Sequence, residues 1–144
     1  MEVFRHLPVM SEEVLFWLIR EDSRVYLDCT VGYSGHAEKL LESSSSNSRL
    51  IGLDRDAVAI AASRERLARF GDRVHLIHGH FVELKQHLAA SGISQVDGIL
   101  FDLGVSSPQL DEATRGFSFQ GDGPLDMRMD QSKSGTAADL INQW

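Results

Sequence analysis

Short apolar segments alternate along the chain with segments whose apolar residues have helical spacing, and this alternation most constrains the fold. The predicted strands are residues 25–28, 50–54, 74–77 and 96–102. The predicted helices are residues 10–19, with Ser11 as N-cap, and residues 36–42, 57–70 and 82–90. Strands joined through helices require right-handed crossovers and pair in parallel. The sequence therefore predicts an α/β fold with a parallel sheet and flanking helices.

Composition places the chain among soluble globular proteins. With 144 residues, 42% of them hydrophobic and 24% charged, it is long enough for one substantial core. No apolar run reaches the roughly 18 to 20 residues of a membrane span, and residues 1–6 lack the apolar centre of a signal peptide. We therefore expect no membrane partner and a cytoplasmic location. The single cysteine, Cys29, has no disulfide partner and is expected to be a small buried residue.

The charge balance bears on nucleic-acid binding. The net charge is −7 and the isoelectric point is about 5.3. Affinity for phosphate backbones comes largely from Lys and Arg. The composition thus argues against a free-standing nucleic-acid binder.

A glycine-containing turn follows the first predicted strand and favours a ligand. Gly32 and Gly35 allow close approach to the backbone, and the next helix offers free N–H groups. The Gly-x-x-Gly spacing differs from the dinucleotide fingerprint, which disfavours a diphosphate cofactor. Asp54 ends the second strand about twenty residues further on, where an acid accepts hydrogen bonds from both ribose hydroxyls. The pattern favours S-adenosylmethionine, with a nicotinamide or flavin nucleotide and a fold without cofactor as alternatives.

Other polar and aromatic residues near these turns have two interpretations each. Phe81 either contacts an adenine, by stacking on it or lining its pocket, or is a core residue. His36 either belongs to the site or faces solvent from the first helical turn. Asp56 pairs with Asp54 as a weak metal motif, but an N-cap role is favoured. The histidines without metal-ligand spacing are taken as structural: His75, His78, His80 and His87. We predict no metal site.

Some thirty residues after Asp102 have neither helical nor strand period. Loops of this length inside a domain are usually functional or disordered. Disorder fits poorly, because the segment contains residues of types that bury: Phe117, Phe119, Leu125, Met127 and Met129. We predict an ordered substrate-side loop at the carboxyl end of the fourth strand. The residues that alternate with the methionines predict a paired, buried polar network, with plain core packing as the alternative: Asp126, Arg128 and Asp130.

Three runs in this part of the chain, residues 102–111, 115–118 and 122–130, resemble the signature of the bacterial small-subunit ribosomal RNA cytosine-N4-methyltransferases. The likeness continues upstream through His6-x-Pro8-Val9, residues 28–36 and residues 53–56, and so covers nearly the whole chain. The resemblance implies a Rossmann-like domain of seven strands with a helical insertion. It also implies S-adenosylmethionine as cofactor and a cytosine of 16S ribosomal RNA, within the small ribosomal subunit, as substrate.

The resemblance also implies a set of site residues. The cofactor positions are Ser34, Gly35, His36, Asp54, Phe81, Asp102 and Gln109. Asp102 is in addition the catalytic candidate, because an acceptor there can orient the cytosine amine. Two positions depart from the usual patterns. The family usually has glycine where Ser34 stands, and residues 102–105 read Asp-Leu-Gly-Val where most amino-methyltransferases have Asp/Asn-Pro-Pro-aromatic.

The length of the chain differs from what the resemblance implies. About four of seven strands are present, and Thr136 to Asp139 open a final helix with a capping-box pattern. We therefore expect residues 1–144 to be the N-terminal part of the methyltransferase domain and to be inactive alone. Because the net charge of these residues is −7, the basic surface that binds RNA is then expected in other parts of the protein. A cofactor-binding fragment without activity and a small-molecule methyltransferase are the alternatives, and the sequence does not indicate an oligomeric state.

Overall fold

The computed structural model describes residues 8–143, so His6 of the sequence motif lies outside the described residues. The chain divides into two compact units, Met1–Asp102 and Leu103–Trp144. Each unit is described by itself.

The first unit is built on a parallel four-stranded sheet. Its strands are β1 (Val25–Asp28), β2 (Arg49–Asp54), β3 (Val74–His78) and β4 (Gly98–Leu100). The order across the sheet is β3-β2-β1-β4, and every neighbouring pair is parallel. The predicted strand segments and the parallel pairing are confirmed.

One helix precedes the first strand and three lie between consecutive strands, as the periodicity predicts. They are α1 (Ser11–Leu18), α2 (Gly35–Ser43), α3 (Ala57–Leu67) and α4 (Leu84–Ala90). The predicted third and fourth helices are each partly 3₁₀, at Ala68–Arg73 and Phe81–Glu83. The final turns and first turns of helices often tighten in this way.

The core of this unit lies on both faces of the sheet. Tyr26 packs on one face with residues of α2 and α3, including Leu40 and Ile60. Its neighbour Leu27 packs on the other face, where Phe81 and Leu84 also contact the core. Side chains of consecutive strand residues point to opposite faces, so a strand covered on both faces is apolar throughout.

The helix caps confirm one sequence prediction and correct another. Asp56 caps α3, since its Oδ1 accepts a hydrogen bond from Val58 N at 2.9 Å. The prediction of Ser11 as the N-cap of α1 is wrong, because Met10 occupies that position with φ of 50°. Ser11 is the first helical residue, and its Oγ accepts a hydrogen bond from Lys39 Nζ at 2.6 Å.

β4 is shorter than the predicted 96–102, and side-chain hydrogen bonds add to the backbone pairing near both of its ends. Before the strand, the Asp97 carboxylate accepts hydrogen bonds from Arg24 N and Val25 N at 2.7 and 2.8 Å. After it, Asp102 N donates to Thr30 Oγ1 at 2.7 Å. β4 is an edge strand of the four-stranded sheet.

The second unit contains two short helices that flank an irregular loop: α5 (Ser107–Asp111) and α6 (Ala137–Gln143). The predicted cap of α6 is confirmed, since Thr136 and Asp139 exchange hydrogen bonds at 2.8 and 3.1 Å. α5 was not predicted. Its signal is a capping box between Ser106 and Gln109 with proline in the first turn, which the irregular composition around it obscured.

Polar contacts and glycines order the loop more than apolar burial does. Arg115 is 3% exposed and donates to the carbonyl oxygens of Arg128 and Met129. Asp126 and Arg128 form a bidentate ion pair at 2.7 and 2.8 Å, which confirms the predicted pairing, but neither side chain is fully buried. The expected burial is wrong for three residues, which are exposed: Phe119, Leu125 and Met127. In residues 8–143 no helix has the length and apolar character needed to cross a membrane.

Candidate cofactor site

Three carboxylates gather at one edge of the sheet. Asp28 and Asp54 are the last residues of β1 and β2, and Asp102 follows β4. Because all the strands are parallel, their carboxyl ends meet at the same edge, where open α/β sheets bind ligands. The charges of Asp54 and Asp102 both act to raise the pKa of Asp28, so these groups are electrostatically coupled.

The turn between β1 and α2 is fixed to this edge by a carboxylate. Gly32 N donates to Asp54 Oδ2 at 2.8 Å, and Asp56 N donates to Asp54 Oδ1 at 2.8 Å. A carboxylate has about four lone-pair sites, so each oxygen can accept a further hydrogen bond. Asp54 therefore retains acceptor capacity for two hydroxyl groups. Burial raises the pKa of its carboxyl group above the usual value.

Ser34 takes a left-handed backbone conformation, which glycine adopts more easily than serine. Its φ is 64°, and its side chain is completely buried. Ser34 Oγ donates to Ser63 Oγ at 2.6 Å, and Ser63 Oγ donates to Gly32 O at 2.7 Å. The hydroxyl of Ser34 thus contacts α3, while α2 begins at the next residue. The first-turn N–H groups of a helix have no partners within the helix and suit an anionic group.

Asp28 is a buried acid to which the sequence motif gave no separate role. It is 2% exposed and accepts a hydrogen bond from Thr30 N at 3.1 Å. Burial raises its pKa to about 7. Thr30 in turn accepts the hydrogen bond from Asp102 N through its hydroxyl. The threonine therefore fixes the backbone at the end of β4, a role that its place directly after β1 could have indicated.

His36 and Asp102 lie within ion-pair distance. His36 is the second residue of α2 and is only 8% exposed, so its alternative solvent-facing position is wrong. Its Nε2 lies 3.6 Å from Asp102 Oδ2, and the Asp102 side chain is 49% exposed. Desolvation lowers the pKa of His36 below its usual value, against the opposing effect of Asp102. A neutral imidazole thus contacts a carboxylate that is accessible from solvent.

Phe81 has a core contact and an accessible part, so both of its sequence interpretations remain. It is only partly buried and packs against the apolar cluster of Leu27. Its ring centroid lies 5.5 Å from that of Phe101 in an edge-to-face arrangement and 4.4 Å from the His80 ring. An aromatic wall thus stands after β3, at the carboxyl end of the sheet.

The remaining predicted residues have local contacts. Gln109 belongs to the second unit, where its Oε1 accepts a hydrogen bond from Ser106 N at 3.1 Å. Cys29 is buried, and burial raises its thiol pKa to about 11, so it is not a thiolate at neutral pH. Among residues 8–143, no group of three or more His, Cys, Asp or Glu side chains is arranged to hold a metal ion.

The sheet order, the turn tied to an acid at the end of β2, and the acids beside it define a Rossmann-like methyltransferase fold. A sequence model of the MraW methylase family matches residues 3–144. The chain belongs to this family.

Curated relatives share about half of their aligned residues with this chain. "Ribosomal RNA small subunit methyltransferase H" of Syntrophotalea carbinolica is 54% identical over 141 residues, which cover 98% of this chain and 45% of that protein. The protein of the same name from a Paenibacillus species is 47% identical over 148 residues, covering 99% and 47%. The chain thus spans less than half the length of these relatives.

Solved structures confirm the predicted fold class. A putative rRNA methylase from Clostridium thermocellum superposes with a TM-score of 0.56 at 23% identity, covering 66% of this chain and 49% of that one. An O-methyltransferase from Bacillus cereus, solved in complex with SAH, gives 0.56 at 18% identity, covering 64% and 43%. The shared fold, together with the methylase family, supports the prediction of S-adenosylmethionine as cofactor.

Proposed function

We propose that these residues form the cofactor-binding, N-terminal part of an enzyme that methylates the N4 amine of a cytosine in 16S ribosomal RNA. The relatives carry the name of a small-subunit ribosomal RNA methyltransferase. The observation that carries the proposal is the joint placement of the turn, Asp54 and Asp102 at one edge of the sheet. That edge presents ribose acceptors beside an accessible carboxylate.

The described residues fit S-adenosylmethionine. Asp54 keeps an acceptor site on each oxygen for the two ribose hydroxyls, and the first turn of α2 suits the carboxylate of the cofactor. Phe81 supplies an aromatic surface beside the adenine position. The residues assigned to cofactor binding are Ser34, Gly35, His36, Asp54, Phe81, Asp102 and Gln109.

The chemistry that this site must perform depends on positioning. S-adenosylmethionine supplies an electrophilic methyl group on its sulfonium. The cytosine amine is a weak nucleophile because its lone pair is delocalised into the ring, so holding it in line lowers the barrier. Asp102 accepts an N–H of the amine, which orients the nucleophile and stabilises the positive charge that develops on it. The base must also leave its stack to reach the site.

The substrate is a folded ribonucleoprotein, the small ribosomal subunit, and the enzyme acts in the cytoplasm. The acidic balance of these residues, −7, indicates that the basic contacts with RNA lie mainly outside them. We assign the loop that follows Asp102 to the substrate side.

The test uses a fusion of residues 1–144 to the part of the Syntrophotalea carbinolica relative that this chain does not cover. Labelled S-adenosylmethionine and isolated small subunits are incubated with the fusion, with the relative itself and with this chain. Digestion to nucleosides identifies the product. We expect N4-methylcytidine from the fusion and the relative.

Two outcomes separate the proposal from its alternatives. A folded fusion that binds the cofactor but gives no methylated cytidine, while the relative does, would contradict the proposal and favour a cofactor-binding chain without activity. Label on another atom of the RNA would contradict the N4 assignment. We expect this chain to bind the cofactor without turnover, because the relatives are more than twice as long as the matched region.

A further inference from the structure

The contact between His36 and Asp102 joins a buried group to an accessible one. The His36 ring is enclosed at the start of α2, while half of the Asp102 side chain is exposed. The distance from Nε2 to Oδ2 is 3.6 Å. The other ring nitrogen, Nδ1, is buried and has no hydrogen-bond partner among residues 8–143. A hydrogen on Nδ1 would therefore be a buried donor without an acceptor, which is costly.

Asp102 is restrained at two places. Its backbone N–H donates to Thr30 Oγ1, which fixes the end of β4. That bond leaves the side-chain torsions of Asp102 free. The imidazole approaches one carboxylate oxygen, Oδ2, and so leaves Oδ1 for another donor. A ring held by packing can thus select the rotamer of an exposed acid.

The charges around His36 favour a neutral ring that donates from Nε2. Asp102 faces it from the end of β4, and Lys39 acts on it from the same helix. Burial and Lys39 lower the pKa of His36, whereas Asp102 raises it. A neutral imidazole has one N–H, and a carboxylate near Nε2 favours the tautomer with the hydrogen on that atom.

We propose that His36 is a positioning residue, whose Nε2–H attracts Oδ2 of Asp102 across 3.6 Å so that Oδ1 faces the substrate amine. The proposal rests on the proposed function for its substrate, but the contact itself can be tested without RNA. The role is additional to the cofactor binding proposed for His36, because it acts through Asp102. No additional proton transfer or covalent step is required of the histidine.

The first test measures the His36 ring nitrogens of this chain by ¹⁵N NMR as a function of pH. In the wild-type protein we expect a neutral ring protonated at Nε2. Asp102→Asn should lower the pKa of His36, because a negative charge is lost, and should reduce the fraction of the Nε2–H tautomer. The matched control is Asp72→Asn, which removes an exposed carboxylate two residues before β3, the strand at the opposite edge of the sheet.

The second test uses two substitutions in the fusion protein. In His36→Gln the side-chain amide nitrogen can reach the position of Nε2, whereas in His36→Asn it reaches only that of Nδ1. We expect His36→Asn to lose roughly tenfold or more in kcat and His36→Gln to recover much of it, while any rise in the KM for the cofactor should be similar in the two variants.

These measurements distinguish the positioning role of His36 from the proposed methyltransferase function. Unchanged His36 pKa and tautomer in Asp102→Asn would overturn the contact, whatever the activity of the fusion. Equal kcat in both His36 variants with a raised KM for the cofactor would overturn the positioning role and leave only cofactor binding. If the fusion methylates nothing, the proposed function fails, and the NMR measurement alone decides whether His36 holds Asp102.

Discussion

The backbone N–H of Gly32 donates to Asp54 Oδ2 at 2.8 Å, so one carboxylate both fixes the turn after β1 and faces the proposed ribose position. In the sequence, Gly32 lies in the turn after β1, whereas Asp54 is the last residue of β2. The parallel pairing of β1 with β2 brings them together. Loss of Asp54 is therefore expected to affect the ligand and the turn that cradles it.

We predict that Asp54→Ala weakens S-adenosylmethionine binding at least tenfold. The substitution removes two charge-assisted hydrogen bonds to the ribose, each worth roughly 1.5 to 3 kcal/mol. Titration calorimetry on this chain measures the change. Asp56→Ala is the matched control, since it loses an N-cap worth about 0.5 to 2 kcal/mol of stability but should retain most of the affinity. Equal affinities of Asp54→Ala and the wild-type protein would refute the ribose assignment.

Because the pKa of Asp28 is raised in the folded protein, we expect the stability of the fold to depend on pH. Burial raises its pKa from the usual 3.8 to about 7, so the folded state binds a proton more tightly than the unfolded chain. Its contribution to stability is therefore complete below about pH 4, falls as the pH rises towards 7 and is then lost. We expect Asp28→Asn, which keeps an acceptor for Thr30 N, to flatten this dependence and to be relatively more stable above pH 7.

Denaturant unfolding of both proteins between pH 4 and 8 measures the effect. Asp97→Asn provides contrast, because backbone hydrogen bonds from Arg24 and Val25 lower the pKa of Asp97. Its contribution to stability is present at neutral pH and is lost as the pH falls. The account of Asp28 is wrong if the difference between the wild-type and Asp28→Asn unfolding free energies does not change with pH.

Tyr26 offers a test of core energetics. Its ring is 1% exposed, and its hydroxyl is buried with no hydrogen-bond partner in the described part of the chain. Removing an unsatisfied hydroxyl removes a desolvation cost of about 1 to 3 kcal/mol. We expect Tyr26→Phe to leave thermal stability unchanged or raised. Leu50→Ala, in the same cluster, should lower it by about 2 to 5 kcal/mol. A clear loss of stability in Tyr26→Phe would show that the hydroxyl has a partner.

Gly123 tests the order of the loop in the second unit. A Cβ atom there would overlap the carbonyl oxygen of Ala113, whereas one at Gly135 would meet nothing within 4 Å. We expect Gly123→Ala to increase amide hydrogen exchange in residues 113–127 strongly. Gly135→Ala should cost only the backbone strain of its φ of 89°, about 1 kcal/mol. Equal exchange in the two variants would contradict the tight loop packing.

The fold was largely predictable from local pattern. Each strand of the first unit is a short apolar run, and covered parallel strands are apolar on both faces, so their residues reveal them directly. Asp56 was predictable as a cap because its chemistry is local. Ser11 was not, because Met10 takes a left-handed backbone and Lys39, which is distant in sequence, occupies the serine hydroxyl.

The sequence indicated candidate site positions but not the contacts among them. The sequence indicated Asp54 and Asp102, yet the hydrogen bonds to Gly32 and Thr30 arise only when strand ends meet. Ser63 was missed because a serine in a helix gives no signal until its partner is known. Phe119 misled because exposed and buried phenylalanines have the same local sequence pattern.

We propose that the turn and Asp54 bind an adenosine cofactor that lacks a diphosphate. Calorimetric titration of this chain with S-adenosylmethionine and, separately, with NAD measures this binding. We expect saturable binding of S-adenosylmethionine at one site per chain and no measurable binding of NAD. A folded chain that binds neither compound, or that binds NAD more tightly, would contradict it.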